Sequence, residues 1–181
     1  KLTRGQHLDI AFEEKNELPL ELYWQMVEGK TGALLGTSLG LGALIAGVSD
    51  DQVHELVEIG IKIGKAFQVQ DDWLGIWGDV QKTGKSALSD LTSKKKTYPV
   101  LLGLQNRASF YENWKTGGKI NNKRGKELAD MLQKEGIDIK TRLTYESLYS
   151  EALRQLQSLK FTVEKTTPLI VELQTLFGRT K

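Results

Sequence analysis

Cysteine is missing from all 181 residues. Disulfides and thiolate metal sites are therefore excluded, which suits a reducing cytoplasm without requiring one. Histidine occurs only at His7 and His54, too few to build a zinc site on imidazole. A strong excess of either charge is absent too. Twenty-five Lys and Arg face 23 Asp and Glu, and the formal net charge is +2. The basic excess sits in local clusters, chiefly Lys94, Lys95 and Lys96, so the broad basic footprint of a nucleic-acid binder is lacking. Charge disappears entirely from Thr31 to Ser49, close to the ~20 apolar residues of a spanning helix. That stretch nevertheless holds five glycines and is bordered by Lys30, and a buried central helix explains it better than a membrane span. The chain lacks an initiating methionine and opens amphipathically as KLTRGQHLDIAF, neither a signal peptide nor a clean domain start. A preceding segment is expected to belong to the fold. What remains is an ordinary globular balance, 39% hydrophobic and 27% charged, enough for one domain with a substantial core.

Helical periodicity dominates, and no convincing strand alternation is found. Leu8, Ile10, Ala11 and Phe12 close a first helix, which Pro19 separates from a second over about Leu20–Ala46. Ser49-Asp50-Asp51-Gln52 reads as a capping box opening a third helix that runs on toward Trp77. Gly78 to Lys95 is expected to be a mobile polar loop. Thr97 and Pro99 suit the first turn of a helix through Leu104. After a second loop over Lys115–Arg124, helices fit Lys126–Lys134, Thr144–Leu159 and Pro168–Phe177. Gly32, Gly36 and Gly40 recur every four residues along one face. They signal close helix–helix contact, room for a long apolar substrate, or both.

The segment FQVQDDWLGIWGD carries the main chemical signal. At 100° per residue, Gln68 and Asp72 lie one turn apart, and Asp79 returns within about 20° of Asp72. Asp71 flanks this stripe, beside an apolar surface of Phe67, Trp73, Leu74, Ile76 and Trp77. Adjacent carboxylates near apolar surface repel and are costly to desolvate, and a divalent cation relieves both penalties. Hard oxygen donors without cysteine or clustered histidine favour Mg²⁺. By charge pattern alone, a solvated helix end bearing surface acids is an equal reading. Lysines shift the balance: Lys85 after Gly84, then Lys94 to Lys96, supply ammonium groups suited to phosphate, and Lys30 with Thr31 adds another.

Together these residues resemble the trans-prenyltransferases, the polyprenyl synthetase family. FQVQDD followed by Gly78-Asp79, then TGKSALSD and KKKTYP, resembles the second aspartate-rich region and the lysine loop after it. Gly5-Gln6-His7-Leu8-Asp9 is similar to the GQxxD helix, and Met26, Lys30 and Thr31 to the MxxxKT segment. Four motifs in one order cover Gly5 to Val100. The resemblance implies an all-α barrel of helices around a deep central cavity, with residues 1–181 the C-terminal part of a single domain, working as a homodimer. It implies joining of an allylic diphosphate to isopentenyl diphosphate with Mg²⁺ and release of pyrophosphate. Asp71 and Asp72 would hold metal, with Gln6 and Asp9 lining the metal cluster from the opposite helix. Lys30, Lys85 and Lys95 would contact the diphosphate, with Thr31 and Gln68 near the cation end and Phe67 on the isopentenyl side.

Two features depart from the family pattern. Gly75 stands at the fifth position of the second motif, where aspartate is usual, and the first aspartate-rich motif is absent from these residues. They motivate an alternative, a non-catalytic regulatory or partner subunit of an active synthase. The glycine face suggests a cavity suited to a C15 to C20 product.

Overall fold

A computed structural model describes residues 1–13, 15, 18–79, 88–116 and 118–178, and among them all regular structure is helical. Helix α1 spans Leu2–Glu13 and α2 spans Leu20–Val27. Glu28–Gly32 then forms a π-helical turn that leads directly into α3, Ala33–Ile45. The expected second helix is thus continuous, but it carries one wide turn in its middle. Helix α4, Asp50–Trp77, is the axis of the fold: 28 residues, about 42 Å long at 1.5 Å per residue. Its start is the expected capping box, in which the Ser49 hydroxyl accepts from the Gln52 amide and the Gln52 side chain accepts from the Ser49 amide.

Helix α5 is short, Ser89–Thr92, and α6 runs from Tyr98 to Asn106. They are followed by α7 (Ser109–Lys115), α8 (Asn122–Lys134), α9 (Ile137–Ser158) and α10 (Val163–Phe177). The Gly78–Lys95 segment is therefore helical over its Ser89–Thr92 part rather than a plain loop. Helix α7 fills a stretch not foreseen as helical. Helix α9 starts at Ile137 instead of Thr144, immediately after Gly136 turns the chain with a φ of 71°. Pro168 lies inside α10 rather than opening it.

Helix α4 packs along α3 and along α9. Its contact with α3 explains the glycine stripe. A Cβ on Gly64 would lie 2.6 Å from the Gly32 Cα, and one on Gly60 would lie 2.7 Å from the Gly36 Cα. A Cβ on Gly40 would meet Val57 Cγ2 at 2.5 Å. The stripe is a seam of backbone against backbone, so the face expected to leave room for substrate is filled by α4. Two apolar clusters flank this axis. One gathers Val69, Ile76, Tyr23, Phe110 and Leu128; the other gathers Leu56, Ile63, Ala152, Leu156 and Phe177. None of the helices over the described residues is long and apolar enough to cross a membrane.

Candidate active site

The π-helical turn sets the site's register. A π-turn inserts one residue into an α-helix, and such bulges concentrate at functional positions. Here Glu28, its first residue, is pinned to α4 by Lys65 at 2.8 Å. On its other side α1 presses closely: a Cβ on Gly5 would lie 2.2 Å from the Lys30 amide nitrogen. With both sides fixed, Lys30 forms a close ion pair with Asp9 of α1. The neighbouring Thr31 hydroxyl donates to Gln68 Oε1 of α4 at 2.9 Å.

That bond orients the Gln68 amide, whose Nε2 donates to Asp72 Oδ1 at 3.0 Å. The one-turn spacing of Gln68 and Asp72 thus becomes a direct contact. Asp72 is buried, 2% exposed, and its other oxygen is doubly engaged. Oδ2 accepts from the Tyr23 hydroxyl at 2.7 Å and from the Tyr98 amide at 2.9 Å. The carboxylate therefore satisfies the first amide of α6, one of the donors that a helix start leaves without an intrahelical partner. Thr97 occupies the N-cap position, with φ −76° and ψ 167°, but makes no side-chain cap bond.

Burial pushes the Asp72 carboxyl up to about 6, against the lowering effect of the Tyr98 amide, Lys95, Tyr23 and Gln68. Burial, then Asp72, raises the Tyr23 phenol well above its ordinary value. Lys95 is raised as well: burial opposes its charge, but Asp72, Asp90, Asp9 and Asp71 together outweigh that penalty. The backbone that delivers Lys95 is a reversal at the end of α5. The Lys95 amide bonds to Asp90 O at 2.9 Å and the Lys94 amide to Leu91 O at 3.1 Å, with Lys94 at φ 56°. This is a Schellman closure with lysine where glycine is usual.

Asp9, Gln68, Asp72, Lys95, Lys96 and Thr97 face one small cavity of about 20 Å³, floored by Phe12, Tyr23 and Met26. Six of the residues expected from the sequence are thus connected: Asp9, Lys30, Thr31, Gln68, Asp72 and Lys95. Others are not gathered there. Gln6 is exposed on α1 and is not among the cavity residues. Phe67 packs into the apolar cluster of Leu56 and Ala152. Asp79 lies exposed beyond the end of α4, so it does not extend the carboxylate stripe as the helical angle suggested. Lys85 is outside the described residues. Tyr23, Thr97 and the Tyr98 amide were missed by sequence reasoning. Tyr23 could have been found by its seven-residue spacing from Lys30, while the backbone donor leaves no sequence signal.

Gly75, the departure from the family pattern, has a spatial explanation. Asp90 Oδ2 lies 2.1 Å from where a Gly75 Cβ would stand. A carboxylate from the next segment occupies the place that a side chain at position 75 would need.

Among the described residues, no group of three acidic or histidine side chains could hold a metal alone. Mg²⁺ needs less, because it keeps several waters and binds through one or two carboxylates plus phosphate oxygens. Asp72 fits that role on its Oδ1 side: it is buried, under-compensated by positive charge, and flanked by Asp71. The donor set is oxygen alone.

The Polyprenyl synthetase family profile matches residues 1–135. Over 100 residues the chain is 49% identical to (2E,6E)-farnesyl diphosphate synthase of Mycobacterium bovis, covering 55% of this chain and 28% of that protein. It is 32% identical over 178 residues to geranylgeranyl diphosphate synthase of Saccharolobus solfataricus, covering 94% of this chain and 53% of the relative. The crystal structure of geranylgeranyl pyrophosphate synthase from Corynebacterium glutamicum, complexed with isoprenyl diphosphate and magnesium, superposes with a TM-score of 0.88 at 27% identity. That superposition covers 98% of this chain and 52% of that one. The chain thus spans about half, or less, of the length of these relatives. With the profile match extending across most of its residues, and the same helical fold, this chain belongs to the polyprenyl synthetase family.

Proposed function

We propose that the protein of which these residues are part is a prenyltransferase condensing isopentenyl diphosphate with an allylic diphosphate. The observation that carries this reading is the convergence of Asp9, Gln68, Asp72 and Lys95 on one cavity, beside the Lys30–Thr31 turn. The C–O bond of the allylic diphosphate breaks with its electron pair leaving on the diphosphate. The isopentenyl double bond then supplies the electrons of the new C–C bond, and loss of a proton restores an alkene. Charge builds on the departing diphosphate, so fixed positive groups there lower the barrier. Lys95 and Lys30 supply that charge. Lys30 is held by Asp9, and Lys95 sits in the field of Asp72, Asp90, Asp9 and Asp71, so little reorganisation is needed when the leaving group departs. Thr31, oriented by Gln68, holds the hydroxyl end of a hydrogen-bond chain that ends on buried Asp72.

When bound, Mg²⁺ held through Asp72 and Asp71, with Asp9 nearby, would neutralise phosphate charge and strengthen ionisation. Residues 1–181 read as part of one domain, since both apolar clusters are built on α4. A homodimer in the cytoplasm is part of the same proposal. It rests on membership of the family.

The test uses the full-length protein with isopentenyl diphosphate and allylic diphosphates of increasing length, following pyrophosphate release with Mg²⁺ and with EDTA. Turnover that needs Mg²⁺ and falls about a hundredfold or more in Lys95→Ala or Asp72→Ala supports the reading. Equal turnover in these variants overturns the residue assignments, and no turnover with any allylic partner overturns the activity.

A further inference from the structure

Thr97 is 1% exposed, yet its Oγ1 has no hydrogen-bond partner among the described residues. That is unusual on two counts. Buried hydroxyls are nearly always bonded, and leaving one unpaired is unfavourable. Moreover, Thr97 stands at the N-cap of α6 with N-cap backbone angles, where a threonine ordinarily bonds to the helix's own amides. Pro99, at the second helical position, has no amide to offer, and Thr97 makes no side-chain bond to the Val100 amide at the third. The hydroxyl is left without its usual local task, on a residue that lines the cavity shared with Lys95 and Asp72.

The cavity's size specifies what it admits. The centres of water-sized groups have only about 20 Å³ to occupy, which suits a few oxygen atoms and leaves no room for a hydrocarbon chain. Lys96 is tethered to the Phe12 carbonyl at 3.0 Å, so it braces the wall from the α1 side. Lys95, two residues before Thr97, carries positive charge into the same space. Asp9 and Asp72 line it as well, opposite Lys95 and Lys96, a mixed lining that suits an anion accompanied by a cation.

We infer that the Thr97 hydroxyl is a substrate-positioning donor, bonding one terminal oxygen of the diphosphate within this niche. The inference rests on the diphosphate reading above and adds a residue to it. It makes stability and binding move independently. Replacing Thr97 with valine keeps the shape and removes a hydroxyl that satisfies nothing in the fold. A hydroxyl kept for capping would instead lower stability when lost.

The experiment measures inorganic pyrophosphate binding with Mg²⁺ by calorimetry, together with the thermal midpoint, for the full-length parent, Thr97→Val, Thr97→Ser and Lys95→Ala. The expected result is a tenfold or greater loss of pyrophosphate affinity in Thr97→Val with no fall in midpoint, on the scale of one hydrogen bond to a charged group. Thr97→Ser, which keeps the hydroxyl, should restore affinity. Unchanged affinity in Thr97→Val, beside a parent that binds and a Lys95→Ala that does not, overturns the Thr97 inference alone and assigns the niche to a resident water. Lost affinity accompanied by a midpoint several degrees lower also overturns it, in favour of a structural role. A parent that does not bind pyrophosphate overturns the inference together with the diphosphate reading beneath it.

Discussion

Asp72 should make the fold less stable as the solution becomes alkaline, and Asp72→Asn should remove that dependence. The carboxyl is raised from an ordinary 3.8 to about 6, so the native state binds its proton more tightly than the unfolded chain does. Its favourable contribution is fully present below pH 3.8 and is lost as pH rises through about 6. The full shift corresponds to about 3 kcal/mol at 1.36 kcal/mol per pH unit. Linkage puts the penalty at about 1–2 kcal/mol at pH 5 and about 3 kcal/mol at pH 8. Asparagine has no such titration. Its side-chain oxygen can still accept from Tyr23 and Tyr98, and Gln68 can turn over because the Thr31 hydroxyl accepts as well as donates. Any residual cost of the substitution is independent of pH and cancels in the comparison. Urea unfolding of parent and Asp72→Asn in metal-free buffer should therefore show the variant gaining about 1–2 kcal/mol on the parent between pH 5 and pH 8. A parent–variant difference that stays flat over that range, or moves the other way, would refute the buried, under-compensated carboxylate.

Three further outcomes follow from the packing. Tyr23→Phe removes the 2.7 Å donor to Asp72 and should cost about 1.5–3 kcal/mol at pH 8, and less at pH 5, in the same urea assay. Gly64→Ala should cost roughly 1–3 kcal/mol or more, because its methyl meets the Gly32 backbone. Gly42→Ala on the same helix pair meets nothing within 4 Å and should gain about 0.5–1 kcal/mol, so thermal melts of the two should diverge in sign. Gly75→Asp, which restores the family's usual residue, should destabilise rather than improve the protein, by about 1–3 kcal/mol, since the Asp90 carboxylate already holds that space. A rise in melting temperature for Gly75→Asp would contradict the spatial replacement.

The parts of this molecule that local chemistry dictates were legible in the residues. Ser49 and Gln52 announce a capping box because each side chain satisfies the other's amide within four residues. The Gln68–Asp72 contact follows from one helical turn. The glycine stripe predicted a close seam correctly, but its second reading as open space failed. A missing side chain creates room only if no neighbour fills it, and Gly60 and Gly64 lie far along the chain. Three features had no local signal. The π-turn at Glu28–Gly32 is imposed from outside by Gly5 and Lys65. The reversal that aims Lys95 uses Lys94 in a left-handed conformation that lysine does not advertise. Charge pattern leaves Asp72 between a metal ligand and a solvated surface acid, and Tyr23 and the α6 amide, brought in by the fold, bury it.

The wide turn at Glu28–Gly32 has a consequence for how this region can tolerate change. It adds a single residue between two surfaces that must both stay in phase. Upstream, Tyr23 must reach Asp72; downstream, Gly32 and Gly36 must face Gly64 and Gly60. Shortening the turn by one residue would rotate one surface against the other by about 100°. Either the phenol would leave the carboxylate or side chains would enter the seam. A point substitution here disturbs one contact, whereas a one-residue deletion moves a whole surface, so length in this turn is constrained at least as tightly as composition.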